Sequence, residues 1–263
     1  MYCHRSGKPL WKASAIVAAT NKLMTIGLDA DLEEGEKTQY MAREMGGQMI
    51  FIERDLSRDE DISNAIVEAS KLGTIKYLVN NVQIQYEKLQ ETLPIEQYNL
   101  AQYFTLRAPV YLTKLVIPHI RKNEDGRGVI GNMISIPSSI SWLSSPMYHI
   151  MRMALAALSQ SISIEGDGKI RSFSLNIDCV KTTLSENEHP IRIRHESADS
   201  KQGLVDPIHE ESHIKEAMSP IEVANVLIFG FSCFGTYLKG AVHPFNTGYG
   251  TNLSERENQI MHC

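Results

Sequence analysis

The chain has 263 residues, of which 43% are apolar and 22% charged, and its formal net charge is −5. This composition is typical of a folded globular protein, and the small negative charge gives no reason to expect nucleic acid as a partner. The first twelve residues lack the apolar run of a signal peptide, and the longest apolar stretch, around 223–235, is shorter than the about 20 residues that span a bilayer. We therefore expect a cytoplasmic protein that does not bind membranes.

In chain order, short apolar runs alternate with longer stretches of helical periodicity. Strands are predicted at 15–19 (AIVAA), 49–53, 75–79, 128–134, 172–178 and within 237–246, and helices at 32–45, 57–73, 96–121, 146–165 and 220–230. This alternation predicts an α/β fold, a doubly wound and mostly parallel sheet with helices on both faces. We expect a single domain over 1–263 with a core at about 8–251, and a polar segment, about 185–218, as a lid.

The spacing after the first predicted strand is too short for a normal crossover. Only thirteen residues, Thr20–Leu32, separate that strand from the next helix. A parallel crossover needs about 10–12 residues or more before any second strand is added. Either the first helix or the second strand is therefore expected to be missing. Residues 24–28 (MTIGL) could be that second strand or the remnant of a glycine turn, and the sequence leaves both alternatives open.

Candidate catalytic residues lie near the middle of the chain, at a predicted strand end and on the predicted helix that follows it. Residues 132–135 (NMIS) end a predicted strand, and Tyr148 follows Ser135 thirteen residues later. Tyr148 and Arg152 are four residues apart on a predicted helix and so share one face. Their order and spacing resemble the short-chain dehydrogenase/reductase family, in which a strand-end Ser precedes a Tyr-x-x-x-Lys helix.

The resemblance implies a Rossmann-like fold and hydride transfer to or from NAD or NADP. It makes Tyr148 the general acid/base, Ser135 the group that holds the substrate oxygen, and Arg152 the occupant of the family's lysine position. Thr105 falls where the family has an asparagine. Arg can supply positive charge, but it is effectively never deprotonated and relays a proton poorly.

Further segments resemble the family's cofactor site. The run 80–83 (NNVQ) resembles Asn-Asn-Ala-Gly and makes Asn80 a candidate, Asp55 resembles the adenine-contacting Asp, and Thr182 lies in a Val-x-Thr-Pro-Leu-like run. From the residues alone, Asp55 could equally be a strand-end cap and Asn80 a turn-closing residue. The glycine turn is altered: in the register Thr20–Gly27 only Gly27 survives of its glycines. Binding of NAD or NADP is therefore expected to be weak or absent.

The sequence therefore predicts an NAD(P)-dependent oxidoreductase that acts on an alcohol or ketone with weak activity. The alternative is a non-catalytic member of the family that serves as a scaffold or regulator. The resemblance also implies a homodimer or homotetramer. Residues 209–213 formally match the zinc motif H-E-x-x-H, but no third ligand is evident and no metal site is expected.

Overall fold

The computed structural model describes residues 8–82, 84, 86, 88–135, 146–177, 180 and 217–245. The predicted lid and the H-E-x-x-H run lie outside these residues, apart from the last two positions of the lid. The described helices are α1 (Lys8–Thr20), α2 (Leu32–Glu44), α3 (Asp59–Leu72), α4 (Ile95–Gln102), α5 (Ala108–Arg121), α6 (Pro146–Glu165) and α7 (Pro220–Phe231). The strands are β1 (Thr25–Asp29), β2 (Met49–Glu53), β3 (Tyr77–Asn80), β4 (Gly128–Ser135), β5 (Ile170–Ile177) and β6 (Val242–Phe245).

The strands form two parallel sheets within one domain. β1 pairs with β2, and β3, β4, β5 and β6 pair in that order, all in parallel. The predicted α/β class with a mostly parallel sheet is confirmed. None of the described helices is both long and apolar enough to cross a membrane.

The first predicted strand is wrong. Residues 15–19 lie inside α1, whose buried side includes Leu10, Ala13, Ala15 and Ala19. A short apolar run cannot be assigned to a buried strand or a buried helix from periodicity alone. Here the alanines favour the helix, because Ala has the highest helix propensity of any residue.

The inferred loss of a helix or a strand from the first crossover is not confirmed. α1 is a full helix of 13 residues. It is followed by the strand β1 (Thr25–Asp29), so of the two alternatives for residues 24–28 the structure favours the strand. The thirteen-residue gap arose from placing a strand where the helix lies.

A cavity of about 380 Å³ separates β1 from β3, and we call it the slot. The two strands form its sides, α1 and α7 cover one face, and α3 and α5 cover the other. Protein interiors rarely hold voids larger than a water molecule.

A segment of π-helix, Tyr103–Arg107, joins α4 to α5. The N–H of Ala108 donates to the carbonyl of Tyr103, five residues earlier. Pro109 explains the change of register, because proline has no N–H to donate to residue 105 and its ring crowds that carbonyl. The wider turn places Thr105 toward the core, where it is fully buried.

Candidate active site

Tyr148 and Arg152 form the buried centre of the candidate site. Both lie on the inner face of α6, and their exposed fractions are 5% and 1%. The guanidinium carbon of Arg152 lies 4.9 Å from the centre of the Tyr148 ring, so the cation lies against the ring. A cation against an aromatic face stabilises the pair by up to about 2 kcal/mol when it is desolvated.

Arg152 is anchored to the strand that carries Ser135. Its Nη1 donates to the carbonyl of Met133 in β4, while its Nε has no hydrogen-bond partner among the described residues. No carboxylate of the described residues forms an ion pair with it. A buried cation without a counter-charge favours an electron-rich ligand in its vicinity.

Ser135 is the last residue of β4 and pairs in register with Ile177 of β5. It therefore stands at the carboxyl edge of the sheet, where open α/β sheets bind their ligands. Because Arg152 is bonded to Met133, two residues earlier on the same strand, the structure brings the end of β4 and the inner face of α6 together. The grouping of the Ser135 side chain with Tyr148 and Arg152 in one site stays a prediction.

Asn80 ends β3 and begins a chain of buried polar side chains beneath the site. Its Nδ2 donates to Oδ1 of Asn132 at 2.8 Å, Nδ2 of Asn132 donates to Oγ of Ser159 at 2.8 Å, and Ser159 and Ser174 share a 2.7 Å hydrogen bond. The chain crosses β3, β4 and β5 and ties them to α6. Apart from Oδ1 of Asn80, which has no partner among the described residues, these polar groups pair with one another and rigidify the carboxyl half of the sheet.

Sequence reasoning missed Asn132, Ser159 and Ser174 as members of this chain. Two sequence patterns could have indicated it. Polar residues alternate with apolar ones in 170–177 (IRSFSLNI), and helix 146–165 carries two serines on one face. Ser159 and Ser163 are four residues apart, and Ser163 exchanges two hydrogen bonds with the backbone of Ser172, at 2.8 and 3.0 Å.

The hydroxyl of Thr105 is hydrogen-bonded to the backbone of Ile84. Its Oγ1 accepts from the N–H of Ile84 at 3.1 Å and lies 3.4 Å from the carbonyl oxygen of the same residue. The π-helix therefore places Thr105 where it holds the segment after β3 in position. This contact is structural, and it uses the hydroxyl that the resemblance assigns to the catalytic set.

Two of the proposed cofactor residues do not lie in a turn. Thr20 ends α1, and its Oγ1 donates to the carbonyls of Ile16 and Val17, at 2.9 and 3.1 Å. Gly27 is the buried middle residue of β1. A Cβ there would lie 2.7 Å from Cε of Met49 and 2.9 Å from the ring of Trp11, so a larger residue would require these side chains to shift. The proposed register of the glycine turn is therefore corrected to a helix end and a strand.

Asp55 acts as a turn residue after β2. Its Oδ1 accepts from the N–H of Ser57 at 2.9 Å, and its own N–H donates to Asp61 at 3.1 Å. These contacts are those of the strand-end cap that the residue type alone allows. Thr182 lies outside the described residues.

A family model described as enoyl-(acyl carrier protein) reductase matches residues 12–250. An uncharacterized oxidoreductase of Thermotoga maritima is 25% identical, over 92% of this chain and 94% of that protein. The 2-(R)-hydroxypropyl-CoM dehydrogenase of Xanthobacter autotrophicus is 23% identical over 93% and 94% of the two chains.

The solved structure of a mutant short-chain dehydrogenase/reductase of Serratia marcescens superposes with a TM-score of 0.79. It is 17% identical, and the match covers 91% of this chain and 93% of that one. The family match and this fold agree with the strand-end Ser135 and the Tyr148–Arg152 helix. The chain therefore belongs to the short-chain dehydrogenase/reductase family of oxidoreductases, whose members generally use NAD(P).

Proposed function

We propose that this protein is an NAD(P)-dependent short-chain oxidoreductase that acts on an alcohol or ketone, with weak dinucleotide binding. The buried Tyr148–Arg152 pair, bonded to β4 next to Ser135, is the observation that supports it. A bound nicotinamide supplies or accepts the hydride. Tyr148 moves the proton of the substrate oxygen, Ser135 holds that oxygen, and Arg152 supplies fixed positive charge beside both.

The residues present fit the two ends of a dinucleotide unequally. The Nε of Arg152, which has no partner among the described residues, and the buried charge of this side chain suit the hydroxyls of the nicotinamide ribose. For the pyrophosphate, neither Thr20 nor Gly27 offers a cradle, because one ends a helix and the other lies within a strand. Each missing charge-assisted hydrogen bond removes about 1.5–3 kcal/mol, or one to two decades of affinity.

Calorimetric titration of the purified protein with NADH and with NADPH tests the cofactor proposal. We expect dissociation constants far above the micromolar range for both. Sub-micromolar binding of either dinucleotide would contradict the proposal of weak binding and would require a pyrophosphate site elsewhere in the chain.

Two substitutions in the site test the catalytic roles. Tyr148→Phe removes only the hydroxyl and should abolish any turnover while the thermal melting temperature stays near that of the wild type. Arg152→Lys restores the family's residue. We expect no gain of activity from it, since dinucleotide binding limits the reaction. A clear gain would show instead that the guanidinium is the defect.

A non-catalytic role remains the second proposal, and Thr105 is the observation that favours it. Its hydroxyl lies within hydrogen-bond distance of both backbone groups of Ile84, so it is not available to a proton relay. A protein with this role would bind neither dinucleotide and would show no turnover that depends on Tyr148. The titration and the Tyr148→Phe assay therefore separate the two proposals.

Assembly is proposed through α5 and α6. A stripe of α6 is apolar and exposed, with 54% of Ile150, 46% of Met153 and 81% of Ile164 accessible, and Val110 of α5 is 39% accessible. An apolar stripe of this kind is typical of a self-complementary interface. We expect a homodimer or homotetramer by light scattering at micromolar concentration, and Ile164→Lys together with Met153→Lys should shift it to the monomer.

A further inference from the structure

The carboxylate of Asp59, the first residue of α3, holds both ends of the π-helical segment. Its Oδ1 accepts from the hydroxyl of Tyr103 and from Nη1 of Arg107, and its Oδ2 accepts from Nη2 of Arg107 at 2.6 Å. Tyr103 is the first residue of the segment and Arg107 is the last. A bidentate pair of guanidinium and carboxylate restricts geometry in addition to supplying charge-assisted hydrogen bonds. One side chain of α3 therefore spans the whole π-helical segment.

Further contacts fix the position of Arg107. Its Nη1 also donates to the hydroxyl oxygen of Tyr103 at 3.2 Å. Its guanidinium carbon lies 5.0 Å from the centre of the Tyr103 ring and 5.7 Å from the centre of the Tyr111 ring. The hydroxyl of Tyr111 in turn shares a 3.0 Å hydrogen bond with the hydroxyl of Ser63 in α3. The first two turns of α3 are thus joined to the π-helical segment and to the first turn of α5.

The protonation states of Asp59 and Tyr103 suit these contacts. The hydrogen bonds from Arg107 and then from Tyr103 hold the pKa of the Asp59 carboxyl below its ordinary value. Burial, followed by the hydrogen bond to Asp59, raises the pKa of Tyr103 to about 12. At neutral pH the carboxylate is therefore charged and accepts from both side chains, while Tyr103 keeps the proton that it donates.

Thr105, midway between Tyr103 and Arg107, lies on the opposite side of the segment. It is fully buried, and its Oγ1 accepts from the N–H of Ile84 at 3.1 Å. One segment of 5 residues therefore contacts Asp59 on its outer side and the backbone after β3 on its inner side. Single π-helical turns of this kind are uncommon, so contacts from outside the helix are expected to select them. A change at either end of the segment would move the Thr105 hydroxyl relative to Ile84.

We propose that Asp59 is a positioning residue for the candidate site. It holds the π-helical segment so that Thr105 meets Ile84, and it thereby fixes the backbone that follows β3. This backbone leaves the sheet at Asn80, which begins the polar chain beneath Tyr148. The benefit to catalysis rests on the proposed function, in which residues 80–83 serve the cofactor. The link from Asp59 to Ile84 does not depend on it.

The exposure of the Asp59–Arg107 pair separates positioning from stabilisation of the whole fold. The side chains of Asp59 and Arg107 are 44% and 47% exposed, and ion pairs with this exposure contribute little to global stability. Asp125 provides a matched control. It is 45% exposed, pairs with Lys76 at 3.2 Å and lies beyond the opposite end of α5. Loss of either ion pair should therefore change the equilibrium constant for unfolding by less than about tenfold.

Hydrogen exchange of the Ile84 amide, followed by NMR, tests the link because this N–H is the donor to Thr105. The amide lies outside the strands and exchanges by local opening, whereas amides of β4 and β5 in the same spectra report global unfolding. We expect Asp59→Asn to accelerate exchange at Ile84 about three- to tenfold. Asp125→Asn should leave it within about twofold of the wild type.

Two further variants test whether Asp59 acts through the π-helical segment. Tyr103→Phe removes one of the bonds to Asp59 and should accelerate exchange at Ile84 less than Asp59→Asn does. Thr105→Val removes the acceptor of the Ile84 N–H and accelerates this exchange by itself. Addition of Asp59→Asn to Thr105→Val should then accelerate it by less than about twofold, because coupled residues are not additive.

Three outcomes would overturn the proposal. In the first, Asp59→Asn leaves exchange at Ile84 unchanged. In the second, it accelerates only the amides of β4 and β5, as a residue that merely stabilises the fold would. In the third, the double variant shows the product of the two single effects, so that Asp59 acts independently of Thr105. The experiment needs neither dinucleotide nor turnover, so its failure is distinct from a failure of the proposed function.

Discussion

The two parts of the sheet differ in completeness. The four strands β3–β6 are joined to α6 by the chain Asn80–Asn132–Ser159–Ser174 and end at the Tyr148–Arg152 pair. The two strands β1 and β2 are separated from them by the slot. Among the described residues, hydrogen bonds thus connect β3–β6 to one another and to α6, while no strand pairs β1 with β3. The difference teaches that buried side-chain hydrogen bonds can hold several strands and a helix together independently of how the neighbouring pair of strands packs.

The largest stability effect is expected in the polar chain. Ser159→Ala leaves Nδ2 of Asn132 and Oγ of Ser174 without their buried partner, which should lower the free energy of unfolding by about 2–3 kcal/mol. Ser161→Ala removes an exposed hydroxyl on the same helix and should change it by less than about 0.5 kcal/mol. Urea denaturation measures both, and equal effects would show that the chain does not stabilise the four-stranded part.

A pair of alanine-to-leucine substitutions compares packing in the two parts. Ala156 is buried against Ile134 and Leu155, so Ala156→Leu should overpack that cluster and destabilise the protein by about 2 kcal/mol. Ala18→Leu extends into the slot and should stabilise the protein by about 1 kcal/mol through cavity filling. If Ala18→Leu also destabilises the protein, the slot is already filled in solution.

The smallest effect is a pH dependence that arises in the four-stranded part. Burial lowers the pKa of His243 in β6 below its ordinary value of 6.5, and its Nε2 has no partner among the described residues. The unfolded chain therefore takes up the proton more readily than the folded protein does. The free energy of unfolding should fall as the pH drops below about 6.5, until the folded-state pKa is reached.

The variant His243→Gln checks this origin. The variant should show a smaller loss of unfolding free energy on acidification than the wild type. The free energy of unfolding at pH 8, where His243 is neutral in both the folded and the unfolded state, serves as the reference. Urea denaturation at pH 8 and at pH 5.5 makes the comparison. If the variant loses as much unfolding free energy between pH 8 and pH 5.5 as the wild type does, the pH dependence arises from another titratable group.

The sequence by itself determined the α/β class, several elements and the shared helix face of Tyr148 and Arg152. Helix 146–165 and strand 49–53 are observed with the predicted bounds, because 3.6-residue and two-residue periodicities are local properties of the chain. Tyr148 and Arg152 share a face for the same reason, since four residues is one helical turn. Ser135 was predicted at a strand end, and β4 does end there.

Only the tertiary structure decided the rest. It assigned residues 15–19 to a helix, because burial against β1, β2 and α7 is a long-range property that a five-residue apolar run does not encode. It placed Thr20 and Gly27 outside any turn. It also engaged Thr105 with Ile84 through a π-helical segment and assembled a polar chain from residues up to 94 positions apart, Asn80 to Ser174. The slot itself is defined by β1 and β3, which lie almost fifty residues apart in sequence, so no local pattern could reveal the space between them.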